Sequence, residues 1–224
     1  MQNQSIIQPE IIDVGTMRYG ACLELQHSLH AEISEGKRDG AIILVEHEPV
    51  ITFGKNADPN FLHFSKAYLE AKGIDLFDTD RGGEITAHMP GQLVVYPILS
   101  LPTYGLGARD YICVLEKTVI AIIAEYGVTA ETHKEFPGVW VGEQKVCAVG
   151  VRIKNRATMH GIAFNICNSL DLFNLMTPCG IQGKSVCSMS QLISSEISVD
   201  DVKKKFPQQF MAQLEQRKCA HVQQ

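Results

Sequence analysis

The sequence predicts an α+β fold: a single domain, related to no linker or repeat, in which helices pack on a mixed and mostly hydrophobic β-sheet. Three observations lead there. Two strongly hydrophobic runs of strand length, residues 41–47, closing in Glu46-His47, and residues 93–98, read as buried strands. Residues 108–126 carry apolar side chains at helical spacing. Three short strands, 139–141, 145–153 and 159–166, follow one another with a Gly142-Glu143 turn between the first two, so hairpins sit beside helix-connected strands and the sheet is mixed. At 224 residues the chain fills one core, and residues 1–224 are read as one domain.

In chain order, residues 11–14 form a short apolar first strand. From Met17 the apolar Cys22, Leu25 and Leu29 recur at helical spacing up to Gly36, with Thr16 as N-cap. The strand at 41–47 ends in Glu46-His47-Glu48-Pro49, and 50–54 continues extended. Ser65 caps a short helix over 65–72, and 75–80 leads into a glycine-bearing loop, Arg81 to Gln92. On the helix at 108–126, Ile112, Leu115, Val119, Ile122 and Tyr126 share one face. Ser198-Val199-Asp200-Asp201 has the form of a capping box and opens a last helix that runs to about Gln216.

Composition narrows the function classes. With 45% hydrophobic and 20% charged residues the balance is that of an ordinary globular domain. A net charge of -5 disfavours a general nucleic-acid binder, which carries a basic surplus. Arg152, Lys154 and Arg156 read either as a contact for an acidic partner or as a solvated strand face. No stretch has the length of a membrane span, and Met1-Gln2-Asn3-Gln4-Ser5 lacks the basic start and apolar run of a signal peptide, so a cytoplasmic location is expected. The seven cysteines (22, 113, 147, 167, 179, 187 and 219) form no Cys-x-x-Cys pair, which fits free thiols in a reducing compartment and no zinc site.

The loop Arg81-Gly82-Gly83-Glu84-Ile85-Thr86-Ala87-His88-Met89-Pro90-Gly91-Gln92 carries the first chemical signal. Two adjacent glycines let backbone approach a ligand closely, Arg81 and His88 can offer donors to a planar or anionic group, and Pro90-Gly91 turns the chain. The competing reading makes Gly82-Gly83 a hairpin turn and His88 a hydrogen-bonded structural residue. The run is neither a P-loop nor Gly-x-Gly-x-x-Gly, so it does not point to ATP or NAD.

Thr177-Pro178-Cys179-Gly180 sets one thiol apart from the others. Pro178 ends regular structure and Gly180 leaves the sulfur open on one side, so Cys179 can attack an ester or thioester if its pKa is lowered. Lys145, at the head of the run Lys145 to Gly150, is a candidate for lowering it, because a nearby ammonium favours the thiolate. An exposed turn lysine is the commoner fate of that residue type, and a separation of 34 residues does not bring the two together.

These blocks resemble the lipoyl(octanoyl) transferase family. The matching residues are Arg81-Gly82-Gly83-x-x-Thr86-x-His88-x-Pro90-Gly91-Gln92 with Tyr96-Pro97, then Gly142-x-x-Lys145-Val146-Cys147-Ala148-Val149-Gly150, then His160-Gly161-Ile162-Ala163-Phe164-Asn165, then Pro178-Cys179-Gly180-Ile181. Glu46-His47-x-Pro49 and Thr52-x-Gly54 fit as well, and the resemblance runs from about Ile11 to about Leu192. It implies the fold shared by biotin and lipoate protein ligases. It implies an enzyme that moves an octanoyl or lipoyl group from acyl carrier protein to a lysine of lipoyl domains, those of 2-oxoacid dehydrogenase complexes and the glycine cleavage H protein. In that family's pattern Cys179 is the nucleophile and forms an acyl-thioester, with Lys145 lowering its pKa. Substrate binding falls to Arg81, Gly82, Gly83, Glu84, Ile85, Thr86, Ala87 and His88, to Ala148, Val149 and Gly150, and to Gly161, Ile162 and Ala163. No metal, ATP or other cofactor is implied.

A thioester donor already stores the activation that an ATP-dependent ligase has to create, and transfer to cysteine conserves it. Gly150 and Gly161 are expected to let backbone N–H groups meet the acyl oxygen. Three other readings stand beside this one: an ATP-dependent lipoate ligase on the same fold, a cysteine hydrolase with a Cys179–His88 ion pair, and a module that only holds an acyl chain or peptide. One expectation concerns orientation. Residues i and i+2 of a strand share a face, so Cys147 should line the pocket beside Lys145 unless the strand begins after Lys145.

Overall fold

The computed structural model describes residues 6–177 and 185–222. In chain order its first half comprises β1 (Glu10–Met17), α1 (Tyr19–Ser34), β2 (Gly40–His47), β3 (Val50–Phe53), α2 (Lys66–Ala71), β4 (Asp75–Asp78), β5 (Ile85–His88) and β6 (Gln92–Leu99). The second half adds α3 (Leu101–Tyr104), α4 (Ala108–Ala124), β7 (Glu131–Thr132), β8 (Gly138–Val141), β9 (Gln144–Lys154), β10 (Ala157–Asn165), β11 (Ser185–Val186), α5 (Met189–Leu192) and α6 (Val199–Val222).

The main sheet has the order β1-β2-β6-β10-β9-β8-β7, and β11 adds to β9 in parallel. β1 and β2 are parallel because α1 carries the chain across, whereas the hairpins at Gly142-Glu143 and Asn155-Arg156 make β8, β9 and β10 antiparallel. Side chains alternate between two apolar layers. Ile42, Leu44, Leu93 and Val95 meet α4 and α6 through Leu115, Val119, Phe206 and Phe210. Ala41, Ile43, Val45 and Val94 meet α1 through Tyr19, Cys22, Leu29 and Ile33. Covering both faces is what makes β2 and β6 read as continuous apolar runs. Each fully buried Ile or Leu there contributes about 1.5–3 kcal/mol.

A second, three-stranded sheet, β4-β3-β5, lies apart from the first. Ile51, Phe53, Ile85 and Ala87 of this sheet pack on Phe173 and Met176, at a 3-10 turn over Asp171–Leu175. Its β5 corrects the expectation that 81–92 is all loop: Ile85 to His88 pair with Val50 to Phe53.

Three helix starts contrast. Ser65 caps α2 as expected, its side chain accepting from Tyr68 N, and Ser198 with Asp201 forms the expected box at α6. Thr16 does not cap α1, because β1 continues through it and pairs it with Glu46; the helix begins only after Arg18. The ladder there outweighs a side-chain cap. On α4 the buried face is turned from the expected one: Tyr111, Val114 and Thr118 join Leu115, Val119 and Ile122, while Ile112 is half-buried. The last helix runs past Gln216 to Val222.

Candidate functional site

The cleft lies between the α1 face of the main sheet and the segment that carries β5. Its floor is β9 and β10, where Ala148 pairs with Ala163 and Gly150 with Gly161, so small side chains leave room above the ladder. Val149 and Ile162 alternate toward the α4–α6 layer and reach the cleft only at its edge.

A β-bulge places Lys145. Val139 of β8 pairs with Cys147 but Trp140 pairs with Lys145, so Val146 is an extra residue in β9. The period of two is broken there. Val146 and Cys147 both enter the α4–α6 core, each 0% exposed, while Lys145 and Ala148 both face the cleft. The expectation that Cys147 lines the pocket is therefore corrected: it lies on the opposite side of the sheet, and burial drives its thiol pKa far up. The Lys145 stem is buried, its Nζ donates to Pro137 O at 3.3 Å and lies 4.9 Å from the centre of the Trp140 ring.

Beyond Cys147 the place of β10 along β9 is taken by β11, in which Val186 pairs with Lys145 and Cys187 N donates to Lys145 O. Cys179 falls in 178–184, outside the described residues. The flanks of that stretch are defined: Thr177 N donates to Phe61 O at 2.8 Å, and Val186 lies beside Lys145.

The roof is organised by Arg81, which is 8% exposed. Its Nη2 donates to Thr52 O and Glu84 O, both at 2.7 Å, its Nε to Thr52 Oγ1 and its Nη1 to Gly82 O. Donors expected to meet a ligand thus hold the loop and tie it to β3. Gly82 N donates to Val151 O at 2.9 Å, which lays the loop on β9, and a Cβ on Gly150 would stand 3.1 Å from Gly82 O. Gly161 answers a different demand: a Cβ there would stand 2.1 Å from Val95 O, so the close approach it permits is to β6.

Three buried histidines surround the cleft, and their partners fix their tautomers. His88 Nδ1–H donates to Gln92 Oε1 at 2.8 Å, since the Gln92 amide nitrogen is engaged with Asn165 Oδ1 and Ala87 O. Burial, with His47 nearby, lowers the His88 pKa to about 3, so its free Nε2 is an acceptor and not the expected donor. His47 Nδ1–H donates to Met17 O, and its Nε2 accepts from the Tyr96 hydroxyl at 2.9 Å. Burial lowers the His47 pKa to about 4. His160 adopts φ 56 inside β10, an unusual conformation for a residue with a side chain. Its Nε2–H donates to Asp80 Oδ1 at 2.8 Å, and Arg152 holds the other Asp80 oxygen at 2.6 Å. The Arg152 of the basic group is thus engaged in an internal ion pair.

The cleft, open to solvent on one side, spans about 530 Å³ and is lined by Arg81, Gly83, Glu84, Ile85, Thr86, His88, Lys145, Ala148, Val149, Gly150, Gly161, Ile162 and Ala163. Of the described residues expected at the site, Gly82 and Ala87 stand outside it: Gly82 braces the roof, and Ala87 points into the small-sheet core. Tyr19, Val94, Tyr96 and His160 also line it. Tyr96 and His160 stood in the matching blocks, whereas Tyr19, stacked on His88 at 6.0 Å, carried no sequence signal. A recess of about 300 Å³ shares Thr86, Lys145, Ala148 and Ala163 and extends to Phe173 and Val186. Among the described residues no group of His, Cys, Asp and Glu is arranged to hold a metal ion, and no helix is long and apolar enough to cross a membrane.

Comparison with known proteins bears on the family and the fold. Residues 18–211 match the family model of the lipoyl protein ligase A/B catalytic domain. The octanoyltransferase of Maridesulfovibrio salexigens is 36% identical over 201 residues, 90% of this chain and 94% of that protein. That of Chloroflexus aurantiacus is 41% identical over 180 residues, 79% of this chain and 81% of that protein. A solved putative lipoate protein ligase from T. acidophilum with bound lipoic acid superposes with a TM-score of 0.71 at 14% identity, over 93% of this chain and 87% of that one. Identity that low bears on fold alone, and the fold is the expected one. The chain belongs to the lipoyl protein ligase A/B catalytic-domain family, and within it to the octanoyltransferases.

Proposed function

We propose that this chain, acting as one catalytic domain in the cytoplasm, moves an octanoyl or lipoyl group from acyl carrier protein to the lysine of a lipoyl domain through an acyl-thioester on Cys179. Acceptors of this kind are the lipoyl domains of 2-oxoacid dehydrogenase complexes and the glycine cleavage H protein. The observation that carries the reading is the placement of Lys145. The bulge turns its ammonium into the cleft, and β11, entered directly after the stretch that holds Cys179, pairs with it.

The chemistry runs in two steps. Cys179 enters the reaction as a thiolate paired with the Lys145 ammonium, its own proton having gone to solvent. The thiolate attacks the donor's acyl carbonyl, the bond to the carrier sulfur breaks, and that sulfur leaves with the Lys145 proton. The neutral acceptor amine then attacks the Cys179 thioester, an amide forms, and Lys145 takes the amine's surplus proton while the thiolate departs. The acyl tail is accommodated over Ala148, Gly150, Gly161 and Ala163, with the Arg81 to His88 segment above it. The small side chains of that floor and the mixed polar and apolar lining suit such a tail. Transfer from a thioester needs neither ATP nor a metal.

The hydrolase reading requires an imidazolium at His88. A pKa lowered to about 3 and an Nδ1–H committed to Gln92 count against it. Intact-mass measurement after incubation with octanoyl-acyl carrier protein tests the proposal. Wild type should gain one octanoyl group, peptide mapping should place it on Cys179, and an apo lipoyl domain should then remove it. Cys179→Ala should not acylate, and Lys145→Met should acylate at least ten-fold more slowly at neutral pH. Label on another cysteine, or release of free octanoate without an acylated lipoyl domain, would refute it.

A further inference from the structure

Behind the cleft, one short segment of backbone is held at three consecutive points by three side chains. Trp140 Nε1–H donates to Phe136 O at 3.2 Å, Lys145 Nζ donates to Pro137 O at 3.3 Å, and Gly138 N donates to Glu116 Oε1 at 2.9 Å. The last two bonds use the two ends of a single peptide group, the C=O of Pro137 and the N–H of Gly138. A buried carboxylate on α4 and the ammonium on β9 are therefore linked across one rigid plane. Hydrogen bonds at the two ends of a peptide strengthen each other, because each polarises the group the other uses.

We infer that Glu116 is a positioning residue of the acyl-transfer site, holding the Lys145 ammonium over the cleft through the Pro137–Gly138 peptide; this rests on the reading of Lys145 given above. Three further observations support it. Glu116 is 8% exposed on a helix whose other buried residues are nearly all apolar, and a buried carboxylate there needs a reason. Gly138 has φ 139, and a Cβ on it would stand 2.5 Å from Cys147 O and 3.3 Å from Lys145 Cε. The Lys145 stem is thus laid directly over the Gly138 backbone, whose N–H is taken by Glu116. Finally, burial raises the Glu116 pKa, opposed by Gly138 N–H and by the charge of Lys145. Titratable groups facing it from β9 are Lys145 and Cys147. The charges of α6 that reach α4 or the turn after it, Arg217 and Lys205, are paired with Asp110 and Glu125.

The chain contains a single tryptophan, and it is the one under the Lys145 ammonium, so intrinsic emission reports the position of that side chain independently of catalysis. Glu116→Ala removes the acceptor, whereas Glu116→Gln keeps an oxygen for Gly138 N. In Glu116→Ala we expect Trp140 emission to move toward that of Lys145→Met. We expect acylation kcat to fall about ten-fold with KM for octanoyl-acyl carrier protein within two-fold. The pH profile of Cys179 alkylation should shift upward by about half a unit or more. Glu116→Gln should recover most of each change. The inference is overturned if Glu116→Ala leaves emission and the alkylation profile at wild-type values, or if Glu116→Gln matches Glu116→Ala in both. An alkylation profile unchanged in Lys145→Met would overturn the Cys179–Lys145 pairing instead, and emission would still report whether Glu116 holds Lys145.

Discussion

The floor and the roof of the cleft reach their geometry by different means. On the floor, backbone register does the positioning: one inserted residue, Val146, decides that Lys145 faces the cleft and Cys147 the core. On the roof, a side chain does it: Arg81 gathers carbonyls from Thr52, Gly82 and Glu84, and the loop follows. Register is shared by a whole ladder and resists local change. A roof held by one guanidinium is a separate unit that depends on one residue. The difference teaches where substitutions should damage the whole molecule and where they should release a part of it.

The largest effect is expected from Gly161→Ala, which sets a Cβ against the backbone of β6 at 2.1 Å, where nothing flexible can yield. A loss of about 3 kcal/mol or failure to fold is expected, read by urea denaturation. Arg81→Met should cost about 2–3 kcal/mol, since it leaves buried carbonyls of Thr52 and Glu84 without donors. Its signature is local: hydrogen exchange should rise in β3 and β5 while β2 and β6 stay protected. Uniform loss of protection would erase the distinction between roof and floor.

Cys147→Ser places a hydroxyl in an apolar layer and should cost about 1–2 kcal/mol while keeping most of the transfer rate, because the side chain does not reach the cleft. Loss of transfer without loss of stability would put Cys147 back in the pocket. Acid provides a further test. His88 and His47 have folded pKa values of about 3 and about 4, below the unfolded value near 6.5, so the unfolded chain takes up protons first. Their contribution is complete above about pH 6.5 and is lost as pH falls toward 4 and then 3. Between pH 6.5 and 5.5 each should remove about 1 kcal/mol. A flatter acid arm in His88→Gln, measured by denaturation at several pH values, is the expected outcome. The smallest effect belongs to Gly150→Ala. There the new Cβ meets Gly82 O at 3.1 Å and Arg81 Cδ at 3.3 Å, contacts that a shift of the separately held roof by a few tenths of an ångström relieves, so stability should change by less than about 1 kcal/mol. An effect as large as that of Gly161→Ala would mean the roof is as rigid as the floor.

Legibility in the sequence followed the same division. The strands at 41–47 and 93–98 could be read because both of their faces are covered, and the helix at 108–126 because its stripe is wide. Arg81 to His88 and 148–150 stood out through their glycines and small residues, and nearly all of them line the cleft. The bulge was not legible, since no residue type around Val146 announces an insertion, and alternation alone put Cys147 on the wrong face. The direction of Arg81 and the tautomer of His88 were also beyond reach. Both are set by partners distant in sequence or by an amide whose other hydrogen bonds decide its orientation. Tyr19 was hidden by the helix start, which the ladder of β1 pushed past Thr16.

Thr177 and Ser185, which flank 178–184, are hydrogen-bonded to different parts of the fold. Before it, Leu62 bridges Met176 and Thr177 bonds to Phe61, in the layer of the small sheet; after it, Ser185 and Val186 join β9 in the main sheet. Val186 also packs on the core of the small sheet, so release of that sheet would strip apolar contacts from both flanks while the ladder that dominates circular dichroism stays intact. On gentle heating, catalytic competence should therefore disappear at a lower temperature than secondary structure, and return on cooling as the two sheets close again.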